Sequence, residues 1–130
     1  MSYGTAAVDV VQSSTTGTPT QFQDGSGTQI GTLCRAWVNW AYAASTVTIK
    51  ASFNVSSVTR TGTGTYTVAF ANALPDAYYS VSGSTYSSTT NGWMNANSSS
   101  AQTASNYYAA FITFTPAAFD PATAMISVFR

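Results

Sequence analysis

Residues 34–40, CRAWVNW, change character at every step. Cys34, Ala36, Val38 and Trp40 fall on one side. Arg35, Trp37 and Asn39 fall on the other. A period of two is the mark of an extended strand with one buried and one wetter face. The small and apolar set reads as the core side, with Trp40 and Cys34 as packing residues. Trp37 shares its side with Arg35 and Asn39. An aromatic and an arginine on an outer face fit a subunit interface, where both are enriched, and Arg35 and Trp37 are the interface candidates. Plain surface and ligand contact remain the alternatives for Trp37.

The same alternation recurs outward from this strand. In TVTIKASFNV, residues 46–55, Val47, Ile49, Ala51, Phe53 and Val55 are expected to share one face, with Thr48, Lys50, Ser52 and Asn54 on the other. TYTVAF groups Tyr66, Val68 and Phe70, and YYAAFITF and AMISVFR read as two further strands. RTGTGT, residues 60–65, predicts a hairpin with a glycine-bearing loop. Pro75-Asp76 and Asp120-Pro121 predict turns, which by itself accounts for those two aspartates. No helical period of useful length occurs. The expected fold is all-β: a small antiparallel β-sandwich or barrel-like knob.

Two segments stand apart. Residues 1–30 are rich in Thr, Ser, Gln and Gly, with only VDVV as a short strand candidate, and read as an extended N-terminal arm. Residues 31–130 form the knob. Within it, residues 82–106 read as a long polar loop carrying Tyr86, Asn91, Trp93 and Asn95. Long loops in a compact domain are commonly functional. These four residues are the ligand-contact candidates, because aromatic faces and amides suit a sugar. For Trp93, anchoring the loop onto the domain is the competing role.

The charge balance removes several function classes. Only 6% of the residues are charged, and the formal net charge is zero, so association is favoured over dispersion. With four basic residues there is no patch to neutralise phosphates, so no nucleic acid is expected. No apolar stretch approaches the length of a membrane span, and residues 1–11 lack the pattern of a signal peptide. Cytosolic synthesis is the expectation, and the triplets at Asn54 and Asn97 read as chance matches to a glycosylation signal. There is no histidine or glutamate, and the one cysteine has no base to activate it. No catalytic residue, metal site or cofactor is expected, and an enzyme such as a depolymerase is the least favoured class.

The strings GTLCRAWVNW, TVTIKASFNVSSVT, GTGTYTVAFANALPDAYYSV and the terminal SVFR together resemble a module of tailed-bacteriophage fibre proteins, common in phages of aquatic bacteria. The first 31 residues resemble the short fibrous segment that often precedes it. The resemblance spans essentially the whole chain. It departs after the first strand, where such modules often carry NFNGTGT and this chain has NWAYAAST. It implies a β-structured virion protein, assembled in the host cytoplasm and forming a homotrimer. With almost no shaft ahead of the module, the chain reads as a short fibre or knob. Residues 1–30 would join it to other virion proteins, and the polar segment would meet a host surface glycan. The alternative is a capsid decoration or head-fibre protein with a purely structural role.

Overall fold

The computed structural model describes Val8, Val10, Val11, Gln12, Ser14 and residues 20–130 apart from Ser98. The chain divides into two units, Met1–Leu33 and Cys34–Arg130.

In the first unit Val8, Val10 and Val11 are exposed and outside regular structure, so the expected VDVV strand does not form there; Asp9 lies outside the described residues. A hairpin not expected from the sequence is present instead. Its strands are β1 (Gln21–Gln23) and β2 (Gln29–Thr32), paired antiparallel. Asp24 makes the turn. Its Oδ1 accepts from Ser26 N and Thr28 N, both at 2.9 Å, and from the Ser26 hydroxyl at 2.6 Å. These bonds hold the Asp24 carboxyl below its ordinary pKa. An aspartate that satisfies its own turn needs little apolar support, which is why so polar a stretch can form a hairpin.

The second unit is an antiparallel sandwich. Its strands are β3 (Cys34–Ala43), β4 (Thr46–Phe53), β5 (Val55–Gly62), β6 (Thr65–Phe70), β7 (Ser80–Tyr86), β8 (Gly92–Ala96), β9 (Asn106–Thr113) and β10 (Thr123–Phe129). One sheet runs β4-β3-β10-β7 and the other β5-β6-β9-β8. The CRAWVNW strand, β3, is central. Ala36, Val38 and Trp40 are buried and meet Ala124, Ile126 and Val128 of β10 in the core. The facing sheet contributes Val58, Tyr66, Val68, Phe70, Tyr107, Ala109 and Phe111. Trp40, Tyr66 and Phe111 form a tilted and edge-to-face cluster, with centroids 5.5 to 6.0 Å apart. That is the preferred geometry for aromatic quadrupoles.

Three expectations fail, each for a local backbone reason. Phe53 and Ala51 do not share a face with Val47. The β3–β4 register slips between Asn39 and Trp40, which leaves Lys50 unpaired. Side chains directly opposite each other in an antiparallel pair lie on one face. Phe53, opposite Trp37, therefore points outward, whereas Val47, opposite Tyr42, packs on the core. Cys34 is half-buried rather than core. Ala36 and Cys34 pair with the consecutive residues Val128 and Phe129, so Arg35 is the extra residue of a bulge and the alternation ends there. Finally, residues 82–106 are not one long loop. Most of β7 and all of β8 lie within them.

Asn54 turns the chain from one sheet to the other. It has φ 53°, donates from Nδ2 to the carbonyls of Arg35 and Asn72, and accepts from Asn72 N at 2.8 Å. At the β3–β4 turn Ala44 and Ser45 have φ 49° and 62°. Positive φ at both central residues defines a hairpin turn that favours Asn-Gly, and neither residue here is suited to it.

Candidate functional site

Charge is used sparingly, and the carboxylates of the sandwich are committed to structure. Asp120 Oδ1 accepts from Arg60 Nε, Gly64 N and the Tyr66 hydroxyl, each at 2.9 Å, and Oδ2 accepts from Arg60 Nη2 at 2.8 Å. Burial alone would raise the Asp120 pKa. The bonds from Arg60, Gly64 and Tyr66, with the Arg60 charge, outweigh it and hold the carboxyl below its ordinary value. Arg60 also lies over the Tyr42 ring, 5.3 Å from its centroid. Turn chemistry beside proline is thus only part of the role of Asp120: it ties the β5–β6 hairpin to the segment before β10. Gly64 makes this approach possible. It has φ +68°, and a Cβ there would fall 2.7 Å from Phe111 O and 2.9 Å from Phe119 N. Asp76 accepts from Tyr78 N in its turn and pairs with Arg130, Nη2 to Oδ2 2.6 Å. Among the described residues no three of His, Cys, Asp or Glu gather as metal ligands, and no helix is long and apolar enough to cross a membrane.

The polar segment forms a cleft of about 500 Å³ where the end of β7, the start of β8 and the end of β9 converge. Its walls are Thr85, Tyr86, Ser87, Thr90, Asn91, Gly92 and Phe114. Of the four expected contact residues, Tyr86 and Asn91 line it. Trp93 and Asn95 do not. Trp93 stands on the outer face of β8, opposite Ile112, and its ring packs edge-on against Phe114 at 4.9 Å and 67°. The Asn95 amide, oriented as its surroundings require, accepts from Trp93 Nε1 at 3.2 Å and donates to Met94 O at 3.3 Å. Trp93 therefore packs against Phe114 beside the cleft. Asn95 also borders a smaller cleft of about 240 Å³ with Met94, Tyr79 and Tyr107. Phe114 is not legible as a site residue in the sequence, because YYAAFITF reads as strand throughout. Its strand ends at Thr113, and the ring is 68% exposed.

Gly92 sets the floor of the larger cleft. A Cβ there would lie 2.3 Å from Ile112 O and 2.4 Å from Phe119 Cε1, so β8 can lie this close to its neighbours only with glycine at its start.

The interface candidates lie at the opposite, outer face of the first sheet. Trp37 is 38% exposed and sits directly across from Phe53, which is 54% exposed; Met125 is exposed on the next strand. Arg35 is half-buried in its bulge, and its Nη1 is shut away from solvent with no hydrogen-bond partner among the described residues, as is Asn39 Oδ1.

Compared with known proteins, the chain matches no family model, no curated protein and no solved structure.

Proposed function

We propose that this chain is a structural protein of a tailed-bacteriophage virion, a trimeric knob that contacts the host surface and carries no enzymatic activity. Residues 1–30 are assigned to attachment to other virion proteins. The observation that carries the reading is where the fibre-like strings fall. CRAWVN is the central strand β3, GTGTYTVAF is the turn and strand β6, and the Asp76 of ALPDA pairs with the Arg130 of the terminal SVFR. The strings that resemble the fibre module are thus those that build the scaffold. The cleft of residues 85–92 and 114 lies outside them, free to carry recognition.

A second feature supports self-association. Trp37 of β3 and Phe53 of β4 stand opposite each other across the ladder, and both aromatic side chains are exposed. A second copy of the same neutral surface could cover them without burying an unpaired carboxylate. Light scattering on the purified chain tests this. The expected mass is about 41 kDa, three times the 13.6 kDa of one chain. The folded double variant Trp37→Lys, Phe53→Lys should run as a monomer. A wild-type chain that stays monomeric at tens of micromolar overturns the trimer.

A further inference from the structure

We infer that the cleft between β7, β8 and the end of β9 binds an uncharged pyranose. Phe114 and Tyr86 supply the stacking faces, and Asn91 and Thr90 bond the ring hydroxyls. This rests on the proposed host-surface role and names the ligand class and the residues that meet it.

Four observations point to it. Phe114 and Tyr86 are 68% and 61% exposed, yet both line one cleft. Phe114 is not a loose exposed ring. Trp93 holds it edge-on at 4.9 Å, and Trp93 is itself oriented by the Asn95 amide. A flat apolar face supported by a neighbouring ring and open to solvent suits the C–H face of a sugar ring, which loses water on contact. The rest of the wall is hydroxyl and amide. The Thr90 hydroxyl and Asn91 amide make no hydrogen bond with any other described residue, so their donors and acceptors are open to a ligand. Thr85 and Ser87 are partly committed, to Thr123 O and Thr89 N.

The third observation is charge. No Asp, Glu, Lys, Arg or His lines the cleft, and the aspartates of the sandwich are tied to Arg60 and Arg130 elsewhere. A sialic or uronic acid, or a phosphorylated sugar, would lose its hydration here without gaining a countercharge. A nucleotide fails for the same reason. The fourth is size. About 500 Å³ falls within the usual range for small-molecule sites and accommodates one or two sugar rings. A single shallow site of this kind is weak, with a Kd on the order of millimolar, and three copies on one knob would raise the avidity.

The test is saturation-transfer NMR on the full chain with the methyl glycosides of glucose, galactose and mannose and with N-acetylglucosamine. Glucuronic acid, N-acetylneuraminic acid and adenosine serve as comparators. At least one neutral sugar should receive saturation, and the charged sugars and adenosine should not. Phe114→Ala and Tyr86→Ala should each weaken binding tenfold or more. Both side chains are exposed, so the fold is retained. Tyr78→Ala, an exposed aromatic before the other end of β7, should change nothing. The proposal is overturned if no neutral sugar binds, if a charged sugar or adenosine binds better, or if binding survives loss of both rings. Binding of labelled chain to host cells, measured alongside, separates this inference from the reading beneath it. If the double variant Phe114→Ala, Tyr86→Ala binds cells as well as wild type, the host-contact role stands and the cleft assignment falls. If wild type binds a neutral sugar but no host cell, the cleft stands and the host-contact role falls.

Discussion

Replacing Asp120 with alanine tests whether the part-buried knot it forms holds the sandwich together. The substitution removes the acceptor of the Tyr66 hydroxyl, and Tyr66 is almost wholly buried. It also removes the acceptor of Gly64 N. An unmatched buried donor costs about 1–3 kcal/mol, and a lost hydrogen bond to an accessible group about 1, so the expected loss is about 2–4 kcal/mol. For a domain of this size each kcal/mol shifts the melting temperature by roughly 4–8 °C, so a fall of at least about 8 °C is expected. Asp120→Asn keeps an oxygen for Gly64 and Tyr66 but abandons Arg60, and should fall between alanine and wild type. The pH dependence follows from the sign of the shift. The Asp120 pKa is lowered in the fold, so its contribution is present above the unfolded value near 4 and is lost as pH falls through the folded value. The acid limb of the stability curve should therefore flatten in Asp120→Asn. Urea unfolding followed by tryptophan fluorescence, from pH 2.5 to 7, reads both effects. An Asp120→Ala protein with wild-type stability at pH 7 refutes the reasoning. The exposed Asp76–Arg130 pair is the internal control, and Asp76→Ala should cost far less.

Other outcomes follow from the same geometry. Ala44→Asn with Ser45→Gly should stabilise the chain by about 1–2 kcal/mol, because both positions hold left-handed backbone that these replacements accept; unchanged urea midpoints would contradict this. Gly92→Ala should cost about 1–3 kcal/mol or more, because its Cβ meets Ile112 O and Phe119, and it should abolish sugar binding at the cleft with it. Burial first, and for Tyr66 the bond to Asp120 next, pushes the phenols of Tyr66 and Tyr79 well above 10, and burial raises Tyr107 as well. Their contribution is full below about pH 10 and is lost as pH rises toward the folded values, so absorbance at 295 nm should show a late tyrosinate wave that coincides with unfolding. A single early wave with unchanged circular dichroism would count against it.

Much of the scaffold was legible in the sequence because its signal is local. The alternation in CRAWVNW placed Ala36, Val38 and Trp40 correctly, and Tyr66, Val68 and Phe70 likewise form the facing core. What escaped was phase and partnership. A bulge moves a residue to the other face without changing composition, so Lys50 and Arg35 hid the outward turn of Phe53 and the partial exposure of Cys34. β7 reads SVSGSTY, and its residues 82–86 carry no strand signal because they offer few apolar residues. It is a strand because β10 supplies a continuous ladder and because Gly83 lets Met94 and the Met125 carbonyl come close. Tyr86 and Asn91 could be chosen by residue type. Phe114 could not, because its exposure depends on where β9 stops, and Trp93 drew attention meant for the ring it supports.

Cryo-EM of phage particles assembled with this chain tests the proposed virion role most directly. Three-fold density for the knob at a tail extremity is expected. The Trp37–Phe53 face should be turned toward the neighbouring copies, and the cleft with Phe114 should point outward. Density that lies flat on the capsid with the cleft buried, or particles that lack the chain altogether, would contradict it.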